Sequence, residues 1–323
     1  MLNKSSLGHI LAIITILIWG TTFVSTKILL TVFSPIEILA YRFVGAFLIL
    51  ALICNKKIKI LSAKEEFLFF LLGITGVTIY YWTENLALKY TYASNVGLIV
   101  SAIPIFTALV AHFVTNDEKF TINLLLGFII AMIGISIVIY NGNTLKLNST
   151  GDFLALISAV SFSFYSVLIK KVNKSYSQSF VVTKTFFYGI ITMLPILIIS
   201  DTSLFEISDL SIKVILNLLF LTIFASLLCF IMWNTAITLI GSVKTTNYIY
   251  LVPLITIISS VIILQENVNI LMIFGGLLIF LGVFINENKW LSKVFKSNTI
   301  DTISVKESPV YKANNDEETL TLD

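Results

Sequence analysis

Arg42 stands out first: it is the single arginine in a chain that carries twenty lysines, and it lies inside a long apolar run. A guanidinium grips a carboxylate through two parallel hydrogen bonds, so Arg42 is a candidate anchor for an acidic substrate group. The same charge could instead form a structural pair with Glu37 or Glu84, or snorkel toward an interface. Tyr81, Glu84 and Asn85 fall at i, i+3 and i+4, one face of a helix, directly after Tyr80. A carboxylate beside aromatics suits binding of a substrate amine or coupling to protons. Its alternative is a place at the outer water interface, within the usual aromatic belt. Trp233 stands 149 positions after Glu84 and directly before Asn234, so an aromatic and a carboxylate take equivalent places. Such a pair could hold opposite ends of an amphipathic substrate. Trp19 is a candidate cavity wall, beside Gly20, which permits close helix approach. Asn247 and Tyr250, one helical turn apart, add polar groups. Pro104 and Pro253 read as mid-helix prolines that each free a backbone carbonyl, and they are the candidate hinges. No residue is assigned a catalytic or metal-binding role.

These side chains need elements to hold them, and the composition says which. The chain is 57% apolar and 12% charged, with a mean hydropathy of +0.96, whereas soluble domains carry about 25% charged residues. A membrane-spanning helix needs roughly 20 mostly apolar residues. Ten runs qualify, near 8–30, 35–54, 67–88, 92–114, 121–140, 152–170, 179–199, 213–238, 243–264 and 268–286. Barrel strands would alternate over about ten residues, and nothing here alternates. The expected fold class is therefore an all-α polytopic membrane protein. Arg42, about two turns into the second run, lies roughly 10 Å from the helix end at 1.5 Å per residue. A charge at such depth belongs in the bundle interior. The apolar run from Leu7 to Leu30 is longer than the core of a secretory signal and reads as an uncleaved first helix.

The chain repeats itself. Asn85, Ala87 and Pro104 recur as Asn234, Ala236 and Pro253, each 149 positions on. Glu118, Gly127 and Gly134 recur as Glu266, Gly275 and Gly282, each 148 on. Gly8, Leu11, Ala12 and Lys27 recur as Gly151, Leu154, Ala155 and Lys170, each 143 on. The expected organisation is a first five-helix repeat over 1–141, a second over 142–286 and a disordered cytoplasmic tail over 287–323. Lysines crowd the second and sixth loops (Lys56, Lys57, Lys59, Lys64; Lys170, Lys171, Lys174) and follow the last helix (Lys289, Lys293, Lys296). The positive-inside bias places both termini in the cytoplasm. Five helices is an odd number, so the second repeat is expected to be inverted. A duplicated unit of this kind is the usual build of a secondary transporter, with a central site between the halves.

The ordered set of short motifs carries a resemblance. Trp19-Gly20-Thr21-Thr22-Phe23 and Lys27 lie on helix 1 and Tyr41-Arg42-Phe43 on helix 2. The run from Asn85 to Ser94 joins helices 3 and 4, with Pro104 and Glu118 after it. Over residues 7–286 this resembles the EamA-type members of the drug/metabolite transporter superfamily. The resemblance implies ten helices in two inverted halves around a central cavity, and carriage of small metabolites, often export of amino acids or related compounds. Alternating access, proton-coupled or down the substrate gradient, is the expected mode. A nucleoside-type cofactor such as S-adenosylmethionine is the alternative cargo, and a non-transporting receptor or scaffold the alternative from another class. The second copy departs from the first near Arg42, where Lys184 and Thr185 stand.

What is missing also constrains function. The chain has no Walker-type phosphate loop and no GxSxG elbow. It also lacks a HExxH motif or other metal-ligand spacing, so no cofactor and no enzymatic activity are expected. The lysine loops are short and interfacial, which argues against nucleic acid. The expected partners are a small-molecule substrate, the lipid bilayer of the inner (cytoplasmic) membrane and protons, with a homodimer as the alternative to a monomer.

Overall fold

The structure, a computed structural model, describes residues 3–54, 60–114, 122–140, 149–172, 176–200, 211–266 and 269–287. Glu118, the lysines at 56, 57 and 59 and the tail from 288 onward lie outside the described residues. Among those described, every regular element is helical. The first half contains α1 (Lys4–Leu29), α2 (Pro35–Cys54), α3 (Ala63–Gly73), α4 (Tyr80–Tyr90), α5 (Ala93–Val100), α6 (Ile103–Val114) and α7 (Ile122–Tyr140). The second contains α8 (Ser149–Val172), α9 (Gln178–Ile199), α10 (Ile212–Leu219), α11 (Cys229–Ile240), α12 (Ser242–Thr246), α13 (Val252–Leu264) and α14 (Ile270–Glu287). Eight helices are long and apolar enough to cross a membrane among the described residues, the longest being Ile212–Ile240 with 29 residues. The runs expected at 121–140 and 268–286 are the helices α7 and α14, whose described apolar stretches, Leu125–Gly134 and Ile273–Gly282, are shorter.

Four of the long helices are interrupted, and the interruptions fall at equivalent places. A wider π turn over Ile74–Ile79 joins α3 to α4, and another over Phe220–Leu228 joins α10 to α11. A turn at Ser101–Ala102 separates α5 from α6, and a 3₁₀ segment over Asn247–Leu251 separates α12 from α13. Pro104 and Pro253, read from the sequence as mid-helix residues, are each the second residue of the helix that restarts after the break. In a first turn the missing N–H removes no bond that the helix would have made. The backbone irregularity lies on the N-terminal side of each proline rather than around it.

Packing between the halves is reciprocal. α1 lies along α11 and α13, while α8, its counterpart, lies along α4 and α6. α2 packs on α9, and α7 packs on α14. The last pair meets through glycines. A Cβ on Gly134 would sit 2.6 Å from the Gly275 carbonyl oxygen, and one on Gly282 would sit 2.5 Å from the Gly127 carbonyl oxygen. Moving seven residues up one helix moves seven down the other, so α7 and α14 run antiparallel. Without a hydrophobic driving force between helices in lipid, close backbone approach at small residues is what holds such a pair.

Helix ends are tied across the bundle as well. Lys27 donates to the Leu88 carbonyl at 2.7 Å and to that of Thr91, capping the end of α4. Glu266 accepts from the Ala93 and Ser94 amides at 3.0 and 3.3 Å and from the Ser94 hydroxyl at 2.7 Å. A cation thus meets a helix C-terminus and a carboxylate a helix N-terminus, both favoured by the helix dipole. Replacing Gly134 or Gly282 by valine is expected to lower stability by about 1–3 kcal/mol each through overpacking. Gly276→Ala is expected to be silent, because its Cβ would find Leu98 only at 4.0 Å. Thermal unfolding in detergent measures all three.

Candidate functional site

Between the halves lies a narrow cavity lined by Trp19, Thr22, Phe23, Tyr80, Tyr81, Glu84, Val100, Ile103, Phe162, Ile249 and Val252. Six of these are three pairs of repeat-equivalent positions. Trp19 and Phe162 are 143 apart, and Val100 with Ile249 and Ile103 with Val252 are each 149 apart. The cavity therefore sits where like residues of the two halves converge. Its asymmetry comes from α4 and from Thr22 and Phe23 on α1. Tyr80, Tyr81 and Glu84 reach the cavity, while their counterparts Cys229, Phe230 and Trp233 do not line it. The space left for the centre of a water-sized sphere is about 10 Å³, room for about one water. The walls are closed together in this conformation.

Glu84 is 1% exposed and is the one charged residue among the lining. The Tyr80 hydroxyl and the Arg42 charge both act on it. Arg42 itself is fully buried but stands one ring back: its guanidinium carbon lies 4.2 Å from the centre of the Tyr81 ring and 5.0 Å from that of Phe43. Its Nε donates to the Ser226 hydroxyl at 2.9 Å. Its two terminal nitrogens, Nη1 and Nη2, have no hydrogen-bond partner among the described residues. Neither of the structural pairings weighed for it, with Glu37 or Glu84, forms as a direct ion pair among the described residues. Buried donors of a charged group are costly to leave unmade, so these two mark a place where an acceptor would be gained.

Trp19 is among the residues that line the cavity. Its indole N–H donates to the Ala225 carbonyl at 2.9 Å, an oxygen in the second π turn. Arg42 bonds the next residue of that turn, so two cavity-side groups of the first half are both fastened to one irregular segment of the second. The reverse contact also exists, since Ser161 on α8 donates to the Thr75 carbonyl at 2.8 Å in the first π turn. Trp233 packs behind Trp19, with ring centres 4.9 Å apart, and its indole N–H finds no partner among the described residues.

The remaining candidates lie elsewhere. Asn85 is fully buried and donates to the Pro35 carbonyl at 3.0 Å, tying α4 to the start of α2. Its repeat counterpart Asn234 accepts from the Tyr165 hydroxyl at 2.9 Å. Asn247 and Tyr250 belong to the 3₁₀ segment and are not among the lining, which takes Ile249 and Val252 from that stretch instead. Pro104 and Pro253 flank the cavity at the helix restarts. Phe162, Thr22, Val100 and Ile103 line the site without having been singled out. The repeat offset from Trp19 was the available signal for Phe162.

Comparison with known proteins fits this geometry. The sequence model of the EamA-like transporter family matches twice, over residues 6–140 and 149–287. The chain belongs to the EamA-like transporter family. An uncharacterized transporter of Archaeoglobus fulgidus is 28% identical over 88% of this chain and 99% of its own length. The uncharacterized transporter YyaM of Bacillus subtilis is 29% identical over 82% and 88%. A Salmonella typhimurium protein named as a probable amino-acid metabolite efflux pump is 25% identical over 85% and 93%. One solved crystal structure shares the fold with a TM-score of 0.64 at 16% identity, covering 87% of this chain and 96% of that one. Membership makes this chain a multi-pass membrane transporter rather than an enzyme, and it sets aside the receptor or scaffold alternative.

Trp19→Phe keeps a ring in the EamA protein's cavity but removes the indole donor to Ala225. A buried hydrogen bond between neutral groups is worth about 0.5–1.5 kcal/mol net, and an orphaned carbonyl costs about 1–3 kcal/mol. A lowered melting temperature in detergent, larger for Trp19→Phe than for Phe162→Leu, is the expected result.

Proposed function

We propose that this chain is a secondary transporter that exports small organic metabolites, with amino acids or closely related compounds as the cargo, by alternating access around the cavity at Glu84. The reading rests on one juxtaposition. A buried carboxylate sits in an aromatic-walled cavity, and a buried guanidinium with two unpartnered nitrogens stands one tyrosine ring behind it. An amino acid carries the complementary pair of charges. Its ammonium meets Glu84, and its carboxylate meets the Arg42 fork once Tyr81 moves aside as the cavity widens. The Trp233 indole N–H, behind Trp19, becomes a further donor in the same movement. Trp19, Tyr80 and Phe162 pack on the substrate side chain. The name of the Salmonella relative points the same way, at 25% identity.

The framework proposed for this cycle is ten spans in two inverted five-helix repeats, with both termini in the cytoplasm. The antiparallel glycine contact between α7 and α14 supports the inversion, since these are equivalent helices. Alternating access then follows as a rocking of one half against the other, with the breaks before Pro104 and Pro253 as the flexing points. Glu84 is the titratable group placed to couple this to protons. A second cargo, a nucleoside-type cofactor such as S-adenosylmethionine, is favoured by the four aromatic rings of Trp19, Tyr80, Tyr81 and Phe162, which suit stacking and cation–π contact.

Proteoliposome flux of pooled labelled amino acids and of labelled S-adenosylmethionine tests the proposal, with and without a proton gradient. Saturable flux of the amino-acid pool is expected, falling at least about tenfold in Arg42→Ala, the loss that removing about 1.4 kcal/mol of binding produces. Glu84→Gln is expected to abolish the effect of the proton gradient. Gradient-dependent flux that survives in Glu84→Gln would remove Glu84 from the coupling role, and flux of the cofactor alone would replace the cargo.

A further inference from the structure

A second buried cation lies far from the cavity. Lys184, on α9, is 2% exposed and forms an ion pair with Glu66 on α3. The Tyr188 hydroxyl also donates to the Glu66 carboxylate, and the Leu61 amide does so at 2.7 Å. The Lys184 ammonium lies 5.3 Å from the centre of the Phe69 ring and 5.8 Å from that of Phe180. Next to it, the Tyr176 hydroxyl donates to Glu65, which also bonds Ser62 at the start of α3. That contact with Glu65 pushes the Tyr176 phenol above its ordinary range. Every partner on α3 belongs to the first half of the chain and every partner on α9 to the second.

The position is as informative as the chemistry. Glu66 and Glu84 lie on one continuous helical rod, eighteen residues apart, which is roughly 27 Å at 1.5 Å per residue. The ion pair is thus at the opposite end of the bundle from the cavity. Deeper along the same α3–α9 seam the backbones touch: a Cβ on Gly73 would sit 2.6 Å from the Gly189 amide nitrogen, and one on Gly189 would sit 2.7 Å from Val77. At the cavity end, the corresponding cation, Arg42, is held across the halves by one neutral hydroxyl. Lys184 falls within one position of the repeat counterpart of Arg42, yet it is held across the halves by a carboxylate and enclosed by aromatic rings. The two cross-half contacts are therefore unequal in strength.

We infer that Lys184, Glu66 and Tyr188 form the latch that closes the two halves on each other at the end of the bundle opposite Glu84. The inference rests on the alternating-access reading. When that end opens, the α3–α9 seam must part, and the ion pair is the interaction that has to break. Lys184 is buried while Glu66 is partly exposed, so Glu66→Gln leaves an uncompensated buried charge and Lys184→Met removes the cross-half ion pair outright; both favour the parted seam.

A cysteine placed at Val77, buried against Gly189, reports on the seam, and one at Ala46, buried on α2, serves as its control. Both are made with Cys54 and Cys229 replaced by alanine, and the purified protein is labelled in lipid nanodiscs with a soluble thiol reagent. Lys184→Met and Glu66→Gln are each expected to speed labelling at Val77→Cys by about tenfold, matching about 1.4 kcal/mol, and to leave Ala46→Cys unchanged. Lys184→Arg keeps the charge and is expected to keep labelling slow. Should Lys184→Met fail to fold, Tyr188→Phe removes one bond while keeping the ring and is expected to give a smaller acceleration. Unchanged labelling at Val77→Cys in the folded variants, or equal acceleration at both cysteines, overturns the latch. Labelling requires no substrate, so failure of the flux assay and failure of the latch are read separately.

Discussion

Inside a bilayer no water is available to satisfy a free peptide group, and each unsatisfied one costs several kcal/mol. A chain built almost wholly of apolar helices should therefore keep its helices regular. This one interrupts four of them, twice with π turns and twice before a proline. The irregular turns are tolerable because their freed groups face protein. The Ala225 carbonyl takes the Trp19 indole, and the Thr75 carbonyl takes the Ser161 hydroxyl. In each case the two groups come from different halves. The same bonds that excuse the broken helices also stitch the repeats together, and one of them starts from Trp19 in the cavity wall.

Duplication explains the layout of the site, and divergence explains its chemistry. Three pairs of equivalent residues line the cavity with aromatic and aliphatic walls. Symmetry alone would produce a greasy slot with no polarity from end to end. The charge enters through one helix, α4, where Glu84 stands in place of what the other half supplies as Trp233. Arg42 is similarly unmatched, because its counterpart region carries Lys184 on a different errand. An asymmetric ligand needs such an asymmetric lining, and point substitutions in one copy of a duplicated frame are the simplest way to obtain it.

Much of this was legible before the fold was known. Long apolar runs gave the helices, recurring Asn, Pro and Gly residues gave the repeat, and Arg42, Glu84 and Trp19 were conspicuous as polar or bulky groups amid aliphatics. Asn85, Asn247 and Tyr250 are not among the cavity's lining, and the 3₁₀ segment that carries the last two changes the angle between successive side chains. The π segments are met by partners distant in sequence, such as Trp19 at Ala225. Val100, Ile103, Ile249 and Val252 escaped notice because an aliphatic residue on a membrane helix looks the same whether it faces lipid, core or cavity. Lys184 and Glu66 lie in different halves, 118 positions apart, and only the fold brings them together.

The near absence of free space in the cavity bears on what the bilayer must do for the cell. Room for about one water does not admit a file of hydrogen-bonded molecules from one face to the other. Within this cavity, protons and small ions have no such file to follow. The cavity in this shape is a plug rather than a pore, and passage of a substrate has to wait for its walls to part.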